Sequence, residues 1–276
     1  MKLFRKVVIV GTGLIGGSLA LAIKRKGLAQ KVVGISRHRK NLLLAKKKGA
    51  IDSLSQEISV VKDADLVVLA TPVHAIIDLA AKISRHISKD CLVSDVGSTK
   101  KEIVKRLENI FPHYVGAHPL AGSEKRSILH ACPDMFKGSL CLLTPTAKTN
   151  RRELAKIKKL WNSVGAKVIL VNPSLHDRIL GFVSHLPHAL AFSLIDTVPK
   201  NYLRFASSGL KDTTRIAGSD SVLWADIFLS NPENISNSIA QFQKKIAALK
   251  SSIDKKDRRK LISILNRSKV KRNGLL

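Results

Sequence analysis

The sequence has few acidic residues and few aromatic residues. Its 276 residues include 20 Asp and Glu against 48 Lys and Arg, so the formal net charge is +28 at pH 7, and aromatic residues make up only 4%. The charge would suit a nucleic-acid-binding protein, and that function is kept as an alternative. However, few side chains are available for base stacking, and no helix-turn-helix, zinc-finger or RNA-recognition signature is present. We therefore expect no nucleic-acid partner.

Cysteine is also scarce. The three cysteines are Cys91, Cys132 and Cys141. Their odd number and the lack of C-x-x-C spacing argue against a disulfide framework or thiolate metal site, so we expect buried, inert thiols. His185 and His188 could lie on one helix face, but no third ligand has useful spacing, and Pro187 is expected to interrupt that helix. We expect no metal.

Long apolar runs are missing as well. The longest apolar stretch, residues 13–23, has 11 residues, whereas a membrane span needs roughly 20. The N-terminus lacks the longer apolar region and small-residue cleavage site of a signal peptide. We expect no membrane span and a cytoplasmic location. The 45% of hydrophobic residues excludes a disordered chain.

Short apolar runs alternate with helical patterns over the first part of the chain. They predict strands at residues 7–10, 31–36, 66–70, 91–94, 114–117, 139–143 and 167–171. Intervening helices of 10–15 residues predict βαβ units and a parallel sheet. Beyond Pro173 the apolar residues recur only at helical spacing. The expected fold is α/β, with a Rossmann-type doubly wound sheet in residues 1–172 and an all-helical domain in residues 173–276.

A glycine-rich turn follows the first predicted strand. Gly11, Gly13 and Gly16 form a G-x-G-x-x-G pattern between that strand and a predicted helix. Such glycines permit a tight turn, close approach of a pyrophosphate and close helix packing, and the diphosphate lies at the helix N-terminus. The predicted cofactor-binding residues here are Gly11, Thr12, Gly13, Leu14, Ile15 and Gly16.

The second predicted strand ends at Ser36, where an NAD enzyme normally presents an acidic residue to the ribose. Arg37 and Arg39 follow. A small serine flanked by arginines would accept a ribose 2′-phosphate through charge-assisted hydrogen bonds. These arginines could instead be plain surface cations, but we predict that NADP is preferred over NAD.

His118 directly follows the strand predicted to end at Ala117. Ligands of open α/β sheets bind outside the carboxyl ends of the strands, so we expect His118 to face a nicotinamide crevice. Six other histidines are expected to be surface or satisfied core residues: His38, His74, His86, His113, His130 and His176.

Six motifs occur in an order that resembles the prephenate/arogenate dehydrogenase family of tyrosine biosynthesis. They are VGTGLIGGS at 10–18, ATPV at 70–73, SDVGSTK at 94–100, GAHPLAG at 116–122, SHLPH at 184–188 and KDTTRIAGS at 211–219, followed by Trp224. The resemblance implies NAD(P)-dependent oxidative decarboxylation of arogenate or prephenate to tyrosine or 4-hydroxyphenylpyruvate. It also implies a homodimer built by the helical domain.

The resemblance further implies roles for individual residues. His118 would accept a hydrogen bond from the substrate hydroxyl, whose acidity rises as hydride departs, and Ser98 would bond the same hydroxyl. Arg215 would pair with the side-chain carboxylate. Substrate contacts are implied for His188, His185, Ser123, Glu124 and Trp224, and cofactor contacts for Thr71 and Pro72.

Several alternatives stay open at this point. Prephenate and arogenate differ in a keto against an amino group, and Asp212 is a candidate partner for the ammonium. The serine–arginine pattern and short chain look more like the arogenate-preferring branch. Another Rossmann-plus-helical enzyme, such as an imine reductase or a 3-hydroxyacid dehydrogenase, is the alternative family. A positive field would attract anionic ligands, but no function follows for the cations of residues 244–276.

Overall fold

The computed structural model describes residues 2–122 and 127–275. In these segments the strands are β1 Phe4–Val10, β2 Ala29–Ile35, β3 Ser53–Ser55, β4 Leu66–Leu69, β5 Leu92–Asp95, β6 Tyr114–Pro119, β7 Leu140–Thr144 and β8 Lys167–Leu170. The α-helices are α1 Leu14–Arg25, α2 Arg39–Lys47, α3 Val73–Ile83, α4 Lys101–Leu107, α5 Arg151–Ser163, α6 Pro173–Leu180, α7 Leu186–Thr197, α8 Ser208–Thr214, α9 Ser221–Ser230, α10 Pro232–Asp254 and α11 Arg258–Asn273.

The strands form one sheet in the order β3-β2-β1-β4-β5-β6-β7-β8. The chain moves outward in both directions from β1, so the order reverses between β1 and β4, where doubly wound folds bind their ligands. Helices alone are found after residue 172 within the described part of the chain. The predicted α/β fold, Rossmann-type and then helical, is confirmed.

Two details of the predicted sheet were wrong. β7 runs antiparallel to β6, with His118 opposite Leu142, because the connection between them carries only a short 3-10 turn, Ile128–His130, among its described residues. Without a crossover helix, the returning strand can pair antiparallel. The edge strand β3 was missed because its three residues, Ser-Leu-Ser, form no apolar run.

The sheet is buried on both faces. Along β1, Val7 and Ile9 belong to one cluster of buried residues, whereas Val8 and Val10 belong to another. A strand covered by helices on both faces has a continuous apolar sequence rather than an alternating one. The sheet is therefore the centre of the core, with one cluster of buried residues on each face.

The chain divides into two compact units, Met1–Asn231 and Pro232–Leu276. The first contains the sheet and the helices up to α9. The second contains α10 and α11, which contact each other. No described residue of α11 is buried, and the seven Lys and Arg of this helix are accompanied by no acidic residue. About a quarter of the net charge of +28 is therefore on this exposed helix.

One described helical run, Pro173–Thr197, is long and apolar enough to cross a membrane by length and composition alone, and 22% of its most apolar window is buried. The expectation that no such segment exists counted only uninterrupted apolar residues and overlooked this run, which contains Asp177 and Arg178. Core and interface helices pass the same test, so the finding is weak support for a membrane segment.

The cysteines differ in exposure. Cys91 and Cys141 are buried, whereas Cys132 is exposed, against expectation. Burial raises the pKa of the Cys91 thiol to about 12 and that of Cys141 further still. Two of the three thiols are therefore inert at neutral pH.

Candidate active site

The turn between β1 and α1 is tight on one side and open on the other. Gly11 has a φ of +99°, and a Cβ on it would lie 2.5 Å from the carbonyl oxygen of Ala70. A Cβ on Gly16 would lie 2.0 Å from the carbonyl oxygen of Gly11. Gly13 is exposed, and a Cβ there would meet nothing within 4 Å. A diphosphate could approach from this side and reach the N–H groups at the start of α1.

Two buried hydroxyl oxygens beside this turn, Thr12 Oγ1 and Thr71 Oγ1, have no hydrogen-bond partner among the described residues. Thr71 is next to Gly11, because a Cβ on Gly11 would lie 3.0 Å from Thr71 Cγ2. A buried polar group without a partner is costly, and a bound ligand would supply one. The residues of the turn, together with the exposed Pro72 at the start of α3, therefore fit a dinucleotide.

Ser36, Arg37 and Arg39 follow the end of β2 at the same edge of the sheet. The Ser36 hydroxyl accepts a hydrogen bond of 3.2 Å from the backbone N–H of His38. The side chains of Arg37 and Arg39 are exposed. Leu14 and Ile15, in the first turn of α1, are half-buried. The ends of β1 and β2 lie side by side, since the backbone N–H of Gly11 donates a 2.8 Å hydrogen bond to the carbonyl oxygen of Ile35.

The two predicted catalytic residues follow or lie on neighbouring strands. Ser98 is half-buried in the connection from β5 to α4, and His118 is half-buried near the end of β6. β5 and β6 pair in parallel, with Ser94 opposite Val115. Their carboxyl ends therefore meet at the edge of the sheet that carries the glycine-rich turn.

His118 is the outer member of a hydrogen-bonded chain. Its Nδ1 lies 2.9 Å from Nε2 of His176, and Nδ1 of His176 lies 2.7 Å from Oδ1 of Asp177. The carboxylate of Asp177 also accepts hydrogen bonds from the backbone N–H groups of Lys100 and Lys101, at 2.7 and 2.9 Å. His176 and Asp177 are fully buried on α6, so a helix beyond residue 172 supports a side chain of the sheet.

Burial lowers the pKa of His118 well below its ordinary value, and the positive charge of Lys100 lowers it further. The imidazole is therefore neutral at pH 7. A neutral imidazole has one bare nitrogen that can accept a hydrogen bond.

A buried carboxylate fixes the segment that carries Ser98. Asp95, the last residue of β5, is paired with the ammonium group of Lys100, and both side chains are fully buried. It accepts hydrogen bonds from the Tyr114 hydroxyl at 2.7 Å and the backbone N–H of Gly97 at 2.8 Å. Because Tyr114 is in β6, these bonds tie the Ser98 segment to that strand.

The helical half contributes a stacked aromatic pair. The rings of His188 and Trp224 are 3.5 Å apart between centroids and inclined by 20°. His188 Nδ1 lies 3.0 Å from the carbonyl oxygen of Ser184. His185 is buried beside the same indole, with Nδ1 3.2 Å from the amide nitrogen of Asn231. Burial lowers the pKa of His185 to about 4.

Pro187 does not end the helix, contrary to expectation. A π-helical turn, Gly181–His185, precedes it, and Pro187 lies in the first turn of α7. Proline has no N–H for the usual hydrogen bond to the residue four positions earlier, and the π turn directly before it already departs from that bonding pattern. The wide turn therefore lets one helical run present both His185 and His188.

Arg215 begins a 3-10 turn after α8 and is exposed. Its positive charge lowers the pKa of His188, although burial of that histidine is the larger cause. Arg215 is therefore close enough to His188 for their charges to interact. Asp212 is exposed on α8.

Two family profiles cover most of the chain. The profile described as "Prephenate dehydrogenase, nucleotide-binding domain" matches residues 19–170, and the one described as "Prephenate dehydrogenase, dimerization domain" matches residues 172–267. The chain belongs to the prephenate dehydrogenase family.

Individual relatives agree with this family. A prephenate dehydrogenase of Bacillus subtilis is 32% identical over 98% of this chain and 76% of its own length. The structure of the Aquifex aeolicus prephenate dehydrogenase in complex with hydroxyphenyl propionate and NAD+ is 38% identical, with a TM-score of 0.94 over 99% of this chain and 98% of that one. The Synechocystis arogenate dehydrogenase is 28% identical, with a TM-score of 0.85 over 99% and 100%.

Membership of the prephenate dehydrogenase family supports an oxidoreductase with a nicotinamide cofactor. It favours this family over the alternatives of an imine reductase or a 3-hydroxyacid dehydrogenase. Ser123 and Glu124, predicted to contact the substrate, lie outside the described residues. Within the described ranges, no group of three or more His, Cys, Asp and Glu side chains could hold a metal ion.

The expectation for His176 was incomplete. It is a satisfied core residue, as predicted, but one of its partners is His118. Only the adjacent Asp177 could have drawn attention to it, and a His-Asp pair at the start of a helix has no distinctive pattern. The partners are 58 residues apart, so the fold alone brings them together.

Proposed function

We propose that this chain catalyses the NAD(P)-dependent oxidative decarboxylation of arogenate or prephenate. The observation that carries the proposal is the position of His118, a neutral imidazole at the sheet edge that also bears the glycine-rich turn and Ser98. Hydride would leave the hydroxyl-bearing carbon of the substrate for the nicotinamide. The electron pair of the departing CO2 would enter the ring, which becomes aromatic and keeps its hydroxyl.

The residues divide the chemical work. The substrate hydroxyl becomes more acidic as hydride departs, and His118 accepts its hydrogen bond. Ser98 bonds the same hydroxyl. Because hydrogen bonds to a developing charge strengthen in the transition state, this pair raises the rate more than it tightens substrate binding.

The helical half holds the rest of the substrate. Arg215 pairs bidentately with the side-chain carboxylate, and His188 and His185 border the same site. Trp224 stacks on His188 and serves as a wall of the pocket or as a core anchor. Ser123 and Glu124 complete the mouth of the pocket in this proposal.

NADP is the preferred cofactor in this proposal. No carboxylate follows β2, and Ser36, Arg37 and Arg39 lie where a ribose 2′-phosphate would bind. The test is to measure the KM of NAD and of NADP. A lower KM for NAD would contradict the preference.

Residues 1–172 form the nucleotide-binding domain and residues 173–276 the substrate and dimerisation domain of a cytoplasmic homodimer. Support comes from the second family profile and from large apolar side chains exposed on α6, the π turn and α7. They are Ile179, Phe182, Val183 and Leu194. Light scattering of native protein and of Val183→Glu tests this, since the charge should shift a dimer towards monomer.

The decisive experiment is a steady-state assay of prephenate and arogenate, each with NAD and NADP. The proposed function predicts oxidation of at least one substrate with release of CO2. A failure to oxidise either one would contradict it. DNA or RNA binding with a steep dependence on salt, in the absence of dehydrogenase activity, would favour the nucleic-acid alternative instead.

A further inference from the structure

We infer that His176 and Asp177 are positioning residues that hold His118 in the Nδ1–H tautomer, so that its Nε2 is the bare nitrogen facing the substrate hydroxyl. The inference deepens the proposed function and rests on it. It adds a role for two residues of α6, which belongs to the helical part of the chain.

The direction of the hydrogen bonds starts from Asp177. Its carboxylate accepts two backbone N–H groups, those of Lys100 and Lys101, at the start of α4. Those groups can only donate, and a negative charge is favoured at a helix N-terminus. The carboxyl group is therefore ionised, and an ionised carboxylate has acceptor sites only. His176 must donate its Nδ1–H to Asp177.

The next step concerns the charge of His176. Burial lowers its pKa, the positive charge of Lys100 acts in the same direction, and Asp177 and Asp95 oppose both. Because burial is the largest cause, His176 is neutral at pH 7. A neutral imidazole that donates through Nδ1 can only accept at Nε2.

The last step concerns His118. Its Nδ1 lies 2.9 Å from the accepting Nε2 of His176, so Nδ1 of His118 carries the hydrogen. The Nε2 of His118 is then unprotonated, and it makes no hydrogen bond to another described residue. This is the nitrogen that can accept a hydrogen bond from the substrate hydroxyl. In water a free histidine favours the opposite tautomer, so the protein must impose this one.

The tautomer of His118 decides whether its Nε2 can accept a hydrogen bond from the substrate. If His118 carried its hydrogen on Nε2, that nitrogen would be a donor, and it could not accept from a hydroxyl. A wrong tautomer alone costs a serine protease about 10⁴-fold in kcat. His176 and Asp177 would therefore affect kcat rather than the binding of substrate or cofactor.

The first test reads the tautomer directly. Long-range ¹H–¹⁵N spectra of protein labelled at the histidine ring nitrogens separate Nδ1–H from Nε2–H forms, and His118→Asn assigns the signals by their loss. We expect Nδ1–H for His118 at pH 7. Observation of the Nε2–H form would overturn the inference. This measurement needs no turnover, so it stays informative if neither cyclohexadienol is a substrate.

The second test uses two replacements of one residue. His176→Leu keeps the volume but removes the acceptor, and we expect kcat to fall by about 100-fold with little change in either KM. His176→Gln can accept from His118 through its amide oxygen and donate to Asp177, so it should restore kcat to within about tenfold of native.

A purely structural role predicts a different pattern. In that case the two variants would lose activity only in proportion to lost folded protein, measured by circular dichroism and thermal unfolding. A native kcat in folded His176→Leu would contradict the inference, and so would a glutamine variant no better than leucine. His86→Gln, at an exposed histidine, is the matched control and should leave kcat unchanged.

Discussion

The ammonium group of Lys100 is paired with the carboxylate of Asp95, and neither side chain is exposed to solvent. The two residues lie on either side of Ser98 in the sequence, and Asp95 also accepts a hydrogen bond from Tyr114 of β6. A buried ion pair adds little stability compared with well-packed apolar residues. However, the loss of one partner leaves the other charge buried without a counterion, which is strongly destabilising. The pair therefore makes the active-site segment sensitive to single changes.

We predict that Lys100→Met destabilises the protein by about 3–5 kcal/mol, because Asp95 is left without its buried counterion. Denaturant unfolding measures the change. Asp95→Asn combined with Lys100→Met removes both charges and should recover part of the loss. Lys105→Met, at an exposed position of α4, is the control. A double variant as unstable as Lys100→Met would count against an electrostatic cause.

Substitutions of two glycines in the β1–α1 turn should have different effects, one on stability and the other on cofactor binding. Gly16→Ala places a Cβ 2.0 Å from the carbonyl oxygen of Gly11, so we expect a loss of about 1–3 kcal/mol or more in unfolding free energy. Gly13→Ala meets no protein atom within 4 Å, and its stability should stay within about 1 kcal/mol of native.

The same Gly13→Ala substitution should weaken NADP binding by about tenfold or more, because the methyl group occupies the side from which the diphosphate approaches. Thermal unfolding and cofactor titration check the two effects on one preparation. An unchanged cofactor affinity in Gly13→Ala would contradict the proposed position of the diphosphate at this turn.

His118→Asn should lower kcat by about 10²- to 10⁴-fold, the usual contribution of a positioned acid or base, and leave cofactor affinity unchanged. Asparagine retains polarity but lacks the basic ring nitrogen. Steady-state kinetics and NADP titration check the split, with His86→Asn as a control at an exposed histidine. Substantial turnover by His118→Asn would remove this residue from the mechanism.

Much of this site could be predicted from local patterns. The glycine-rich turn, the strand before His118 and the missing acid after β2 depend on neighbouring residues, so periodicity and spacing were sufficient to place them. The residues that support them could not be found this way. Lys100 looks like a surface cation in a chain with 48 Lys and Arg, yet it is fully buried because Asp95 compensates its charge.

The errors have the same physical origin. The antiparallel pairing of β7 and the bond from His176 to His118 depend on tertiary packing between distant segments. The π turn, Gly181–His185, accommodates Pro187 by a local change of helix geometry that apolar periodicity does not report. Local sequence thus predicts which groups perform the chemistry better than it predicts which groups orient them.

Arg215→Gln should chiefly raise the KM of the substrate, by about 10- to 100-fold, since a hydrogen bond to a charged group contributes about 1.5–3 kcal/mol. The side-chain carboxylate is bound equally in the ground state and the transition state, so kcat should change little. Lys211→Gln removes one positive charge from the neighbouring exposed surface of α8 and controls for long-range attraction of an anionic substrate. Equal effects of the two variants on KM would show that Arg215 acts only through long-range attraction of the anionic substrate, not through direct contact with the carboxylate.

Stability should fall as the pH drops below about 6.5, and His185 should account for part of the fall. Burial lowers the pKa of His185 to about 4 in the folded protein, whereas an exposed histidine has a pKa near 6.5. Between these values the unfolded chain binds a proton that the folded chain does not, so this contribution to the unfolding free energy is present above pH 6.5 and is lost towards pH 4. The loss amounts to about 3 kcal/mol.

Urea unfolding of native protein and His185→Gln across this pH range measures this loss as the difference between the two pH profiles, and the variant profile should be flatter. His86→Gln, at an exposed histidine, is the control substitution. Parallel native and His185→Gln profiles would mean that His185 takes up its proton equally well in the folded and unfolded chain.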